Sequence, residues 1–142
     1  MPLGTYSVKV RFYPPNEEQP FVHDLPRVNL VPDRAGLGEP VFWRRGTTAR
    51  DTYRRTADPR FRRTEMLRLE LATDGGEPAT AQVLDRIGQP LPIPMQVGAR
   101  AGDAGVTWLV ADLQLAGLAP GDYTVAITQA ARTQFAAFRL IP

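Results

Sequence analysis

A chain of 142 residues, 43% of them hydrophobic, is long enough to bury one core without metals or bridges, so a single domain is expected. Seventeen basic residues against fifteen acidic ones leave a net charge of +2, too small by itself to imply a nucleic-acid or membrane partner, and the absence of cysteine excludes disulfides, thiol chemistry and Cys-ligated zinc. With Ser7 the sole serine and His23 the sole histidine, a Ser-His-acid triad would have to start from a strand-patterned run with no Gly-x-Ser-x-Gly turn, so no enzyme and no cofactor are expected.

Thr5 to Tyr13 alternates cleanly, with Tyr6, Val8, Val10 and Phe12 on one face, and predicts an N-terminal strand over residues 1–13. A lone strand with such a face must pack, and the expected place is an edge of the sheets that follow Arg63, with a neighbouring copy's edge as the competing one. Its Gly4-Thr5-Tyr6-Ser7-Val8 opening matches Gly121-Asp122-Tyr123-Thr124-Val125. Pro14-Pro15 end the strand, and prolines at 20, 26, 32 and 40 forbid a long helix and interrupt any central strand. Residues 14–62 therefore read as an irregular Pro/Arg-rich segment wrapping a surface, relieved by a short edge strand at Val41-Phe42-Trp43.

From Arg63 the strand signals are continuous, and residues 63–142 read as the sandwich core. Leu67, Leu69 and Leu71 alternate with charges, and Asp74-Gly75-Gly76 turns the chain. Ala79 to Ile87 is a strand ending in a hairpin connection at Asp85-Arg86-Ile87-Gly88-Gln89. Ile93, Met95, Val97 and Ala99 share an inward face, as do Leu109, Ala111, Leu113 and Leu115. Val106, Trp108 and Val110 then point outwards, an apolar outer face that needs a cover, expected from the chain's own Pro-rich segment. Pro120, Gly121 and Tyr123 form a corner between two runs, with the Tyr123 ring turned into the core and its hydroxyl bonded to backbone between about Ala116 and Pro120. Thr133 to Ile141 is the last strand. Strand follows strand at the regular spacing of an all-β, Ig-like Greek-key β-sandwich of about seven or eight strands.

Two groups of residues are candidate interaction sites. Between Trp43 and Arg68 nine arginines face three acids, whereas the rest of the chain has eight basic and twelve acidic residues. Trp43, Arg44, Arg45, Arg54, Arg55, Arg62 and Arg63, interleaved with Tyr53 and Phe61, offer charge for phosphates and rings for stacking, as a polyanion site requires. Sixteen arginines against the single Lys9 indicate a bias towards arginine, so a solvated loop with some arginines paired to acids is the plainer expectation. Trp108 is the candidate for stacking a sugar. Asp74, Asp85, Asp103 and Asp122 lie at or near glycines and are explained by turn chemistry, and no Asp-x-Asp-x-Asp-Gly calcium loop occurs.

Thr56-Ala-Asp-Pro-Arg-Phe-Arg-Arg-Thr-Glu-Met-Leu-Arg-Leu-Glu70, Asp85-Arg-Ile-Gly-Gln-Pro-Leu-Pro92 and Leu118-Ala-Pro-Gly-Asp-Tyr-Thr-Val125 together resemble the C-terminal region of bacterial VWFA-related-domain proteins, over about Trp43 to Pro142. The resemblance implies a secreted or cell-envelope protein in which a von Willebrand A domain precedes a β-sandwich tail. A chain with one serine cannot contain that domain's Asp-x-Ser-x-Ser metal motif, so only the tail is matched and no metal or catalytic residue is carried over. No stretch approaches the roughly 18 apolar residues of a membrane span, and no signal segment opens the chain, so an extracytoplasmic protein would have its signal upstream of Met1 or removed. The expectation is a non-enzymatic structural or protein-interaction module, with copies of itself or a neighbouring domain as partner; the competing one is a ligand-binding module for a polyanion or a carbohydrate.

Overall fold

The computed structural model describes residues 4–6, 9–12, 21–24, 28–30, 37–48 and 50–142. Among them the chain is all β, with no α-helix and none long and apolar enough to cross a membrane. It divides into two compact units, Met1–Arg34 and Ala35–Pro142.

The first unit holds β1 (Gly4–Tyr6), β2 (Lys9–Phe12), β3 (Phe21–Asp24) and β4 (Val28–Leu30). β1 pairs antiparallel with β4, Thr5 opposite Asn29, and β2 with β3, Val10 opposite His23. Among the described residues the N-terminal strand is thus paired with residues 21–30, where pairing with an edge of the sheets after Arg63 was expected. Loop-closure entropy accounts for the correction, since a partner some twenty residues away is reached at less cost than one sixty away. None of the four described strands contains a proline, so the prolines of the sequence do not prevent this pairing.

The second unit is a pair of five-stranded sheets. Sheet I has the order β11 (Gln96–Ala101), β12 (Thr107–Gln114), β8 (Glu65–Thr73), β5 (Val41–Gly46), β6 (Arg54–Thr56). Sheet II has the order β10 (Pro90–Leu91), β9 (Ala79–Leu84), β13 (Gly121–Gln129), β14 (Arg132–Ile141), β7 (Arg60–Arg62). The chain passes repeatedly from one sheet to the other, and all pairs are antiparallel except β14 with β7. Period-two alternation explains the layering: Leu67, Leu69 and Leu71 from β8 and Leu109, Ala111 and Leu113 from β12 meet Val83, Val125, Ile127, Ala136, Phe138 and Leu140 from sheet II in one buried cluster. Val97, Ile93 and Met95 pack against its margin, but Ala99 is exposed.

Two features tie the layers together. Gln129 on β13 accepts a hydrogen bond from Thr73 Oγ1 at 2.5 Å and donates to the carbonyls of Glu77 (2.7 Å) and Gly75 (3.4 Å), so the turn that crosses from β8 to β9 is held by a buried polar group from the opposite sheet. Leu37 bridges to Thr73 of sheet I and is buried, its carbonyl accepting from Gln134 Nε2 of sheet II at 3.3 Å, with Gly38 N–H donating to Ala72 O at 2.8 Å.

The segment 14–62, read as irregular, carries β3, β4, β5, β6 and β7. Val41-Phe42-Trp43 begins a six-residue strand, and it is no edge, because β6 covers its outer side. Arginine on both faces hid it: Arg44 occupies an inward register position and breaks the apolar alternation. With β6, β7 and the short β10 included, the second unit has ten strands rather than seven or eight.

Candidate functional site

The arginine-rich stretch was the sequence's best candidate site, and the fold distributes it over four strands, β5 to β8, and the loops that join them. Phe61, on β7, is fully buried. It lies 6.0 Å from Phe42 and edge-on to Phe138 at 6.2 Å, while Phe138 stacks on Tyr123 at 5.6 Å. A ring read as a stacking platform for a ligand is therefore the middle of an aromatic run through the core.

Arg44 lies over that ring, its guanidinium carbon 4.8 Å from the centroid. Its Nη2 donates to Asp58 O (2.9 Å), Arg60 O (3.0 Å) and Thr56 Oγ1 (3.3 Å), and Nη1 faces Glu65 at 3.4 Å. Glu65 in turn accepts from Arg62 N–H at 2.7 Å. One planar fork thus holds β5, the crossover from β6 to β7 and the start of β8 together. Inside that crossover the Asp58 carboxylate receives both Arg60 N–H (3.0 Å) and Arg60 Nε (2.9 Å), and the hydrogen bond from Arg60 holds Asp58 below the usual carboxylate range.

A second cluster forms on the outer face of sheet I. Arg68 and Asp112 are register partners on β8 and β12 and make a bidentate pair at 2.7 and 2.8 Å. The loop after β5 brings Tyr53 over them: Arg68 stands 3.9 Å and Arg45 4.9 Å from its ring centroid, and its hydroxyl donates to Asp112 at 3.3 Å. Partial burial, seconded by the Asp112 charge, pushes the Tyr53 hydroxyl above its ordinary pKa. The loop closes through Asp51, whose carboxylate accepts Thr48 N–H at 2.9 Å; hydrogen bonding from Thr48, by its side chain first and then by this N–H, keeps its pKa low. Gly46 permits that closure, because a Cβ there would collide with the Asp51 carboxylate. Asp112 also borders a cleft of about 300 Å³ with Met66, Ile93, Pro94, Gln96 and Gln114, but its oxygens are committed to Arg68 and Tyr53.

The other predicted residues are dispersed. Arg54 and Arg55 are exposed on β6; Arg62 is exposed on β7, and Arg63 is exposed and donates to Ala116 O at 2.7 Å. Arg45 donates to Met66 Sδ at 2.8 Å, and Trp43, beside Arg68 and Arg55 in register, is half-buried with its indole nitrogen enclosed and unpartnered among the described residues. Trp108 is half-buried, pressed edgewise on Gly102 and 5.6 Å from the Arg100 guanidinium. Arg100 pairs with Glu70 at 2.6 Å, and Glu70 is only 5% exposed. Val41 and Val110 flank Glu70 in the register, so the outward apolar face surrounds a buried carboxylate, paired with the exposed Arg100, that the sequence reading missed. An acid within a Leu-x-Leu-x-Leu run signals only an outward position; which arginine meets it depends on strand order.

At the corner, Tyr123 OH donates to Ala119 O at 2.8 Å, inside the expected window, but the ring is half-buried rather than enclosed, because it lies at the end of β13. Gly121 backs against the ring and Pro120 is exposed.

No family model, no curated protein and no solved structure matches the chain.

Proposed function

We propose that this chain is a non-enzymatic structural and protein-interaction module, an Ig-like Greek-key sandwich of a bacterial secreted or cell-envelope protein. One observation carries the reading: of the candidate polyanion arginines, Arg44 and Arg45 are bound, with Arg68 beside them, to Phe61, Tyr53, Met66, Glu65 and Asp112 and serve as rivets between strands, which leaves only the dispersed Arg54, Arg55, Arg62 and Arg63 exposed. A guanidinium already stacked and paired is a poor phosphate ligand, since a phosphate would have to replace contacts as good as its own. The alternation of the chain between sheets and the Tyr123 hydroxyl bonded four residues upstream favour the Ig-like topology. The bacterial and extracytoplasmic setting rests on the sequence resemblance alone.

The test is titration with single-stranded oligonucleotide and with a sulfated polysaccharide at physiological salt. No binding tighter than about 10⁻⁶ M is expected; tighter binding that falls steeply with added salt and disappears in an Arg54, Arg55, Arg62 and Arg63 to Ser variant would replace this reading with the polyanion one.

A further inference from the structure

The two sheets of the second unit have four edges, and three of them are blunted in the usual ways. β6 and β7 are three residues long and carry Arg54 and Arg55, and Arg60 and Arg62; β10 has two residues and begins with Pro90. β11 differs. It is six residues long, contains no proline and a single charge, and five of its six residues are exposed. Among the described residues it has no partner on its outer side.

Its backbone directions follow from the ladder. Gly102 N–H donates to Val106 O at 2.7 Å, which makes 102 and 106 a hydrogen-bonded position of the β11–β12 register. Bonded and non-bonded pairs alternate in an antiparallel ladder, so Arg100, Gly98 and Gln96 point their N–H and C=O groups at β12, and Ala101, Ala99 and Val97 point theirs away from the sheet. Sheet I agrees on the far side: Ala72, opposite Trp108, gives its carbonyl to Gly38, leaving Trp108 to bond β11.

We propose that β11 is a self-association edge, pairing antiparallel with β11 of a second copy about a two-fold axis at Ala99; this names the partner for the protein-interaction reading and rests on it. In that register Ala99 meets Ala99 of the copy and Val97 meets its Ala101, so all three outward donors and acceptors of each strand are satisfied. Small side chains oppose one another on the core side. On the outer face Arg100 falls opposite Gly98 of the copy, which keeps the two like charges out of direct opposition and leaves Arg100 bonded to Glu70. The product is one continuous ten-stranded sheet with the β11 edges removed from water.

Gly98 makes the assignment testable, because a Cβ built there meets nothing within 4 Å and its φ is not in the left-handed region. Gly98→Lys should therefore fold normally yet set a cation against Arg100 of the copy, whereas Gly98→Glu should set an anion there. Sedimentation of the whole chain over a wide concentration range should show a dimer whose dissociation constant rises about tenfold in Gly98→Lys and falls about tenfold in Gly98→Glu, two pairs being altered in each. Ala99→Pro, which removes an outward N–H and leaves the β12 ladder whole, should give a monomer whose melting temperature equals that of the native chain at concentrations low enough for both to be monomeric. A chain that stays monomeric throughout, or a dimer indifferent to all three substitutions, overturns the proposal. Neither result depends on the arginines tested for polyanion binding, so a monomer that still ignores polyanions refutes this edge and not the module.

Discussion

Tyr53 shows how a residue's surroundings set its chemistry. Its hydroxyl titrates above the ordinary value because of burial and the neighbouring Asp112 charge, so between the unfolded and folded pKa the unfolded chain releases the proton more readily and the fold is destabilised. The contribution is complete below the unfolded pKa of about 10 and is lost as pH rises through the folded value. Denaturant midpoints measured from about pH 8 to 11 should fall more steeply for the native chain than for Tyr53→Phe. Equal slopes would mean that Tyr53 is solvated in solution. Tyr123 is the second test at this scale. Removing only its bond to Ala119 in Tyr123→Phe should cost about 1 kcal/mol. Tyr123→Ala, which also removes the ring stacked on Phe138, should cost about 3 kcal/mol by thermal unfolding.

At the scale of elements, the crossover from β6 to β7 carries the chain from the edge of sheet I to the edge of sheet II, and its conformation depends on Arg44. Arg44→Ala leaves two carbonyls and Glu65 without their donor and bares one face of Phe61, for an expected loss of about 1–2 kcal/mol, moderated because the site is partly open to water. Arg44→Lys should recover less than half of that, since an ammonium lacks the planar fork. Hydrogen exchange should speed up at Arg139, whose N–H bonds Pro59 O, and in the β7–β14 pairing before it does in β12. Uniform exchange across both sheets would show that the crossover is held by something other than Arg44.

For the whole molecule, the buried cluster of the second unit runs from Leu37 to Leu140 and draws on both of its sheets. Residues 35–142 should accordingly fold alone, with one cooperative thermal transition; a broad, non-cooperative melt would place essential core contacts in residues 1–34.

Strand positions from Arg63 onward were legible in the sequence because alternation, glycine turns and β-rich composition act locally and agree: the runs at Leu67, Val83, Leu109, Tyr123 and Phe138 all became strands. The Tyr123 bond was legible for the same reason, its acceptor being four residues away. Tertiary structure alone decided the rest. Phe61 could be read as a surface ring until β14 supplied a parallel neighbour and closed the core over it. Arg44 and Arg68 could be read as phosphate ligands until strand order placed Phe61, Tyr53 and Asp112 against them, and Glu70 gained Arg100 through a pairing thirty residues away. Charge and aromaticity are properties of a residue, but whether they face solvent or a partner is set by contacts distant in sequence, and those exist only once the two sheets have formed.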